Sequence, residues 1–176
     1  MLTTELVDEC VRELTYARDR LQNLTNAVVD RLQTELSQRG IMLRVNGRIK
    51  QPESLRNKLL KWKDDPAKAG RICTGREVFE VVSDLAAVRV LTYTDSDRHE
   101  VAKLVPQLFR SRPGHTDCEM EKKEDSPRIK DSDHNFYRAT HFQVMLPEEL
   151  LVYPLDNLIN DHCELQVSSI LAHVWN

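Results

Sequence analysis

The sequence predicts an α/β (α+β) protein, with a mixed β-sheet flanked by helices and an amphipathic helix at the amino terminus. The first observation is the run from Leu85 to Tyr93, which is apolar almost throughout and rich in β-branched residues, as in a strand buried on both faces. The second is the shorter run Cys163–Val167, in which Glu164 and Gln166 lie two residues apart and therefore share a face. The third is the helical periodicity of other segments, which indicates a layered domain.

The composition is that of an ordinary globular protein. Of the 176 residues, 40% are hydrophobic and 30% are charged, which is compatible with a substantial core. The net charge of −3 argues against indiscriminate nucleic-acid binding, although a local basic cluster is compatible with it. No apolar run approaches the roughly 20 residues of a membrane span, and the acidic, amphipathic amino terminus does not resemble a signal peptide. We therefore expect a cytoplasmic protein with no membrane partner.

The cysteines are widely scattered, without the paired spacing of a zinc site or the density of a disulfide framework. They are Cys10, Cys73, Cys118 and Cys163. We predict that they are reduced thiols, as in a cytosolic protein.

Residues 3–39 carry apolar side chains at steps of three, four and seven residues, which is the pattern of an amphipathic helix. Gly40 would end this stretch, which the sequence leaves as one long helix or two. Its mixed charges are those of a solvated face. We accordingly divide the chain into an amino-terminal helical segment, residues 1–40, and a second domain, residues 41–176.

Ile41–Ile49 alternates apolar and polar residues, which predicts a half-buried strand ending near Gly47. Pro52 suits the first turn of a helix that continues to about Lys63. Basic residues cluster around this junction: Arg48, Lys50, Arg56 and Lys58. Two interpretations stay open, a solvated basic face or a clamp for a polyphosphate, whose oxygens suit guanidinium and ammonium groups.

The polar segment 64–74 predicts a loop. Thr74 and Glu77 match a capping box, which begins a short helix before the central strand. After that strand, a helix opens at residues 95–97 and should end near Arg112.

Residues 119–134 are densely charged and lack periodicity, which predicts a mobile surface loop or, alternatively, a lid that orders over a ligand. Ala139–Leu146 then predicts a strand that contains His141, which fits a core histidine. Tyr137, just before it, is either a core residue or a face for a base. The helix after the Glu164 strand looks cut short, so we expect the native protein to continue.

Asp84 and Glu164 are the candidate metal ligands. Asp84 stands at the entry of the apolar central strand and Arg89 lies inside it, and buried charges are costly unless they are paired or used. If the two strands are neighbours, both carboxylates would offer hard oxygen ligands to one Mg²⁺. The alternative for each is a solvated residue at a strand end.

Separated motifs resemble those of the RelA/SpoT synthetase domain, with the order and separations of that family. They are Gly47-Arg48-Ile49-Lys50 through Ser54 and Lys58, the strand Asp84 to Val90, Tyr137-Arg138-Ala139-Thr140-His141, and Glu164-Leu165-Gln166-Val167 with Ala172 to Trp175. The match runs from about Ile41 to the last residue. It implies a nucleotidyltransferase-like sheet flanked by helices.

The resemblance implies a GTP pyrophosphokinase, a transferase that moves the β,γ-pyrophosphate of ATP to the 3′-hydroxyl of GDP or GTP and makes the alarmone (p)ppGpp. Mg²⁺ would be the cofactor, ATP and GDP or GTP the partners, and a homo-oligomer is left open. Asp84 and Glu164 would be catalytic and hold Mg²⁺, with Glu164 also accepting the hydroxyl proton. The ATP-binding residues would be Arg48 and Arg89 around the adenine and Lys50 and Lys58 on the phosphates. The acceptor-binding residues would be Tyr137, which stacks on the base, His141 and Gln166.

The chain departs from the family pattern on the acceptor side. Phe136 replaces the usual glycine before the stacking tyrosine, residues 133–135 stand where a lysine is common, and Ser168-Ser169 replace Arg-Thr. Two alternatives therefore stay open. One is the same chemistry on another acceptor, ADP or ATP or the 3′ end of tRNA, as in toxin-like relatives. The other is a catalytically silent nucleotide-binding module.

Overall fold

The computed structural model describes residues 2–112 and 139–170, and its elements form the predicted mixed sheet flanked by helices. The helices are α1 (Thr4–Tyr16), α2 (Arg18–Gln38), α3 (Pro52–Lys63), α4 (Pro66–Ala69), α5 (Val78–Val81) and α6 (Asp95–Leu108). The strands are β1 (Leu43–Ile49), β2 (Ala86–Thr92), β3 (Arg110–Ser111), β4 (Ala139–Met145) and β5 (Cys163–Ser169). Short 3-10 turns cover Gly75–Glu77, Glu148–Leu150 and Asp156–Leu158.

The amino-terminal segment forms two helices, whereas its periodicity was compatible with either one long helix or two. The break lies at Ala17, whose backbone N–H donates to the Glu13 carbonyl at 3.0 Å. Helix α1 begins after Thr3, whose side chain accepts a hydrogen bond from the Leu6 N–H at 3.2 Å. The buried side chains of both helices belong to the same hydrophobic core as the sheet.

The strands form one mixed sheet in the order β1-β2-β5-β4-β3. Strands β2 and β5 are parallel neighbours, and the other pairs are antiparallel. The apolar run that begins at Leu85 is therefore an interior strand, as predicted, and is buried along nearly its whole length. The strand that carries Glu164 lies beside it.

The register gives the sheet one apolar face and one polar face, because residues directly opposite each other on neighbouring strands point to the same side. The apolar side carries residues such as Val88, Val90, Leu165 and Val167, and it packs against helices α2 and α6. The opposite side carries arginine, asparagine, glutamine, glutamate and histidine side chains. The polar face therefore carries the side chains that are available for binding and catalysis.

The packing of α2 on β1 depends on the glycine at position 47. A Cβ atom there would lie 3.2 Å from Thr25 Cβ and 3.4 Å from Val29 Cγ2, so a side chain would require the neighbouring atoms of α2 to shift by a few tenths of an ångström. Strand β1 continues through Gly47 to Ile49 and does not end near the glycine, which corrects the predicted boundary.

Helix α6 ends at Leu108, earlier than the predicted end near Arg112. Phe109 has an extended backbone, with φ −134° and ψ 157°, and the next two residues pair with β4 as strand β3. Pairing with a strand distant in sequence ends the helix here, and the local periodicity gave no sign of it.

The predicted loop at residues 64–74 contains the short helix α4. Asp65 caps this helix by accepting a hydrogen bond from the Ala67 N–H at 3.0 Å. The capping box of Thr74 and Glu77 is present, as predicted, and begins the 3-10 turn before α5.

Two of the described cysteines, Cys10 and Cys163, are buried free thiols, and Cys73 is an exposed one. Burial, assisted by the negative charge of Glu9, raises the pKa of Cys10 to about 11, and burial raises the pKa of Cys163 as well. Neutral thiols are poor nucleophiles, so neither buried cysteine is a candidate for catalysis. Within residues 2–112 and 139–170, no helix is long and apolar enough to cross a membrane.

Candidate active site

The polar face of the sheet brings together predicted site residues from four strands. In one row across the sheet, Arg48 of β1 lies opposite Ala87 of β2, which lies opposite Glu164 of β5. In the next row, Arg89 of β2 lies opposite Gln166 of β5, which lies opposite His141 of β4. These side chains share a face through strand register. Their proximity does not follow from their spacing in the sequence.

Hydrogen bonds link these residues across three strands. Arg89 Nη2 donates to Gln166 Oε1 at 3.3 Å, and the Gln166 side chain also bonds to Glu164. On the other side, His141 Nδ1 lies 2.9 Å from Glu164 Oε1. The carboxylate of Glu164 therefore accepts hydrogen bonds from two directions, which fixes its orientation within the sheet face.

Glu164 is only 7% exposed, yet it is held in the ionised form. Burial by itself would raise its pKa, but the hydrogen bond and the electrostatic interaction with His141, together with the bond from Gln166, outweigh burial and lower the pKa. The nearby charge of Asp84 acts in the opposite direction. Glu164 is consequently an ionised, hydrogen-bonded carboxylate that lies within the electrostatic influence of Asp84.

Asp84 lies in the turn just before β2, and both of its oxygens are paired with lysines. Lys50 Nζ is 2.6 Å from Asp84 Oδ2, and Lys58 Nζ is 2.8 Å from Oδ1. Burial would raise the pKa of Asp84, but the hydrogen bonds and charges of the two lysines lower it. Lys58 also lies over the ring of Trp62, 5.5 Å from its centroid.

The predicted basic cluster divides into residues with different partners. Lys50 and Lys58 pair with Asp84, whereas Arg56 pairs with Asp8 of helix α1 and joins α3 to the amino-terminal segment. Arg48 is exposed on the polar sheet face. Arg56 therefore has a structural partner outside the candidate site, whereas Arg48, Lys50 and Lys58 face the candidate site.

A depression of about 210 Å³ lies on this face, and one of its lining residues, Ala87, stands opposite Glu164. Arg48 and Arg89 line it together with Gln166 and Asn46. Two guanidinium groups around a depression are suited to stack on a planar base. The sequence did not single out Asn46, although it stands two residues before Arg48, the spacing that puts two residues on one face of a strand.

A larger cleft of about 690 Å³ lies elsewhere and contains none of the predicted site residues. Its arginines have partners within the protein: Arg20 lies 3.4 Å from Asp161, and Arg112 donates to the Glu80 carbonyl at 2.6 Å. We assign the candidate site to the polar sheet face because the ionised carboxylates and the lysines converge there, and cleft size alone does not indicate chemistry.

Asp84 and Glu164 are the residues that would hold a magnesium ion completed by a nucleotide. Asp84 and Glu164 are both ionised, and hard oxygen ligands suit this metal. Within the described ranges, no group of three or more histidine, cysteine, aspartate or glutamate side chains forms a complete metal site. Mg²⁺ commonly takes one or two carboxylates and completes its octahedron with phosphates and water, so two are sufficient.

Part of the predicted acceptor side lies outside the described residues. Tyr137 and the departures at residues 133–136 lie there, and so does the charged segment at residues 119–134, which the sequence predicts as a surface loop or a lid. Of the predicted acceptor-binding residues, His141 and Gln166 are described, and both contact Glu164.

A family model described as "Region found in RelA / SpoT proteins" matches residues 47–176. A comparison with curated proteins found no match.

Several solved structures have a similar fold. Small alarmone synthetase 2 from Bacillus subtilis is 21% identical, with a TM-score of 0.52, and the alignment covers 90% of this chain and 74% of that one. Small alarmone synthetase 1 from the same organism, bound to its product pppGpp, is 18% identical, with a TM-score of 0.54 and coverages of 93% and 75%. The same synthetase bound to AMPCPP is 15% identical in its alignment, with a TM-score of 0.52 and coverages of 93% and 71%. At sequence identities this low, the structural similarity establishes a shared fold and nothing finer.

Proposed function

Because the chain belongs to the family defined by the region found in RelA and SpoT proteins, we propose that it is an ATP-dependent pyrophosphokinase. It transfers the β,γ-pyrophosphate of ATP to the 3′-hydroxyl of GDP or GTP, which yields (p)ppGpp and AMP. The observation that carries the proposal is the polar sheet face, on which Arg48, Arg89 and Glu164 meet beside the Asp84–lysine cluster.

The ATP side of the site uses the cationic residues. Arg48 and Arg89 stack on the adenine in the depression that they line. Lys50 and Lys58 exchange their contact with Asp84 for the ATP phosphates, which frees both oxygens of that carboxylate. Asp84 and Glu164 would be the residues that hold Mg²⁺, which would supply positive charge to the phosphate oxygens. The known structure of a similar synthetase with AMPCPP supports an adenine nucleotide as donor.

Pyrophosphoryl transfer depends mainly on positioning and on cations, because charge spreads over the phosphate oxygens in the transition state. The 3′-oxygen of the acceptor attacks the β-phosphorus of ATP, the bond from that phosphorus to the α,β-bridging oxygen breaks, and AMP leaves. Glu164 accepts the hydroxyl proton. Since its pKa is lowered, it is a modest base, and we expect the proton to move as the new bond forms and not before the attack.

The acceptor lies on the far side of Glu164, toward β4. His141 and Gln166 flank that carboxylate and have polar groups for the acceptor sugar, and Tyr137 stacks on its base. The structure of a similar synthetase with pppGpp supports a guanosine nucleotide as acceptor.

The test is to incubate the purified protein with ATP labelled in its γ-phosphate, Mg²⁺ and GDP or GTP, and to separate the products by chromatography. We expect AMP together with labelled ppGpp or pppGpp. Glu164→Gln serves as the matched control, because it keeps the size of the side chain and removes its charge. Equal product from this variant and from the unchanged protein would contradict the proposed site.

A second candidate function keeps the chemistry and changes the acceptor. It is favoured by the departures at residues 133–136, where the family's acceptor-side lysine and glycine are replaced. The same assay with ADP, ATP and tRNA separates the two, because exclusive use of guanosine nucleotides excludes this candidate. Calorimetric binding of nucleotide without turnover on any acceptor would instead indicate a catalytically silent module.

A further inference from the structure

Gln143 is a buried polar residue with no role in the function proposed above. It lies in β4 directly opposite Glu164, on the polar face, and is only 1% exposed. Its Nε2 donates to the backbone carbonyl of Ser83 at 3.1 Å, and Ser83 immediately precedes Asp84. Its side chain therefore joins the strand beside Glu164 to the turn that carries Asp84.

The orientation of the Gln143 amide follows from this contact. The Ser83 carbonyl is an acceptor only, so the amide must present its NH₂ group to it. The amide oxygen, Oε1, is buried and has no hydrogen-bond partner among the described residues. A buried acceptor without a partner destabilises the folded state. The side chain thus makes one specific hydrogen bond at the expense of another.

The position of Asp84 depends on few contacts, because it lies outside the strand ladder. Its carboxylate is held by Lys50 and Lys58, and one hydrogen bond holds the backbone of the residue on each side of it. One runs from the Lys50 N–H to the Leu85 carbonyl at 2.8 Å, and the other is the bond from Gln143 to Ser83. If the lysines move to the ATP phosphates, the two backbone contacts remain.

We propose that Gln143 is a positioning residue, which holds the Asp84 turn in place beside the strand that carries Glu164, so that both carboxylates would be able to hold one metal ion. This role rests on the proposed function, since it presumes that the two carboxylates share Mg²⁺. Gln143 acts through the backbone of Ser83 and touches neither substrate. Residues that orient metal ligands in this way typically affect metal affinity or activity by 10- to 100-fold.

A purely structural role makes a different prediction, and Gln143→Met separates the two. Methionine has a similar length and shape, removes the partnerless Oε1 and leaves the Ser83 carbonyl without its donor. The gain and the loss have opposite signs, so we expect the melting temperature to change little. A misplaced Asp84, by contrast, should impair metal binding and transfer.

The experiment measures four quantities for each variant: the affinity for Mn²⁺ in the presence of AMPCPP, the kcat, the KM for ATP, and the melting temperature. For Gln143→Met we expect Mn²⁺ affinity and kcat to fall about 10-fold or more, with the KM for ATP nearly unchanged. Gln143→Asn, which keeps the amide but is one methylene shorter, should show the same pattern. Gln107→Met is the matched control, since Gln107 is exposed on α6 and donates to the Lys103 carbonyl, at 3.3 Å.

Wild-type Mn²⁺ affinity and kcat in a folded Gln143→Met variant would overturn the proposal. If that variant does not fold, the same result for Gln143→Asn overturns it. The Mn²⁺ measurement requires no turnover, so it tests Gln143 even if the unchanged protein transfers no pyrophosphate, an outcome that would contradict the proposed function alone. A fall in melting temperature without a fall in Mn²⁺ affinity assigns Gln143 a structural role and rejects the inference.

Discussion

Glu164 lies within β5, where backbone pairing with β2 on one side and β4 on the other fixes its position, whereas Asp84 lies in the turn that precedes β2. The partners of the two carboxylates differ as well. Glu164 bonds to an imidazole and an amide that belong to the same sheet, and Asp84 bonds to the ammonium groups of two lysines.

This difference indicates which part of the site can change when ligands arrive. Lysine is a flexible point charge that can move from a carboxylate to a phosphate, while the partners of Glu164 are anchored in strands. We therefore expect the Glu164 side of the site to be preorganised and the Asp84 side to exchange its partners on ATP binding. Four predictions test this contrast, in order of decreasing effect.

The largest effect is expected from neutralising either carboxylate. Glu164→Gln and Asp84→Asn should each lower kcat by about 10³-fold, because a metal ligand contributes several kcal/mol of charge stabilisation. The two variants should differ in metal-free ATP binding, measured by calorimetry with EDTA present. Asp84→Asn releases Lys50 and Lys58 for the phosphates and should bind ATP more tightly than the unchanged protein, while Glu164→Gln should not. Identical metal-free affinities for both would contradict the exchange of partners.

The next effect concerns the competition between Lys58 and the metal for Asp84. Lys58→Met removes one of two ammonium groups from the carboxylate, so Mn²⁺ should bind the nucleotide-free protein severalfold more tightly, as for an ion pair of about 1 kcal/mol. The same variant should bind ATP more weakly. Lys61→Met, on an exposed position of the same helix, is the control and should change neither affinity. Weaker Mn²⁺ binding by Lys58→Met would show that the lysine does not compete with the metal.

Stability in acid should also depend on the Asp84 cluster. Because Lys50 and Lys58 lower the pKa of Asp84 in the folded state, the stabilisation is present above the unfolded pKa of about 4 and is lost as the pH falls through the folded value. Urea unfolding of the unchanged protein and of Asp84→Asn should therefore differ at pH 7 and converge in strong acid. If the two proteins differ in free energy of unfolding by the same amount at every pH, the difference does not arise from the ionisation of Asp84.

The smallest effect is expected from Arg56, whose partner is Asp8 and not a site residue. Arg56→Met should leave the KM for ATP unchanged and lower the free energy of unfolding by at most about 1 kcal/mol, because the ion pair is partly exposed. Steady-state kinetics and urea unfolding check both quantities. A large rise in the KM for ATP would indicate that Arg56 binds the ATP phosphates, as the clamp interpretation of the basic cluster predicts.

Much of the fold could be predicted because its signals are local. The apolar run that begins at Leu85 indicated an interior strand, the proline at position 52 marked the start of α3, and the capping box at Thr74 marked the next turn. Each of these depends on the chemistry of a few consecutive residues. The end of α6 was predicted too late because pairing of β3 with β4 determines it.

The candidate site was predictable only in part. The sequence resemblance singled out Asp84, Glu164 and Lys58, whereas the spacing of the basic residues alone did not separate Arg56 from Lys58, which stand two positions apart on one helix and contact different partners. Gln143 carried no signal beyond its alternation with His141, because an amide in a strand is an ordinary residue until its neighbours are known.

The sequence by itself determined the strands other than β3, the longer helices and the kinds of side chain at their ends, since propensity, capping and the two-residue period of a strand are local properties. The tertiary structure decided which strands are neighbours and in which register. That register is what puts Arg89, Gln166 and His141 in one row and sets Gln143 beside Glu164. A shift of one residue would turn each side chain to the opposite face, and the burial of the apolar face against α2 and α6 excludes such a shift.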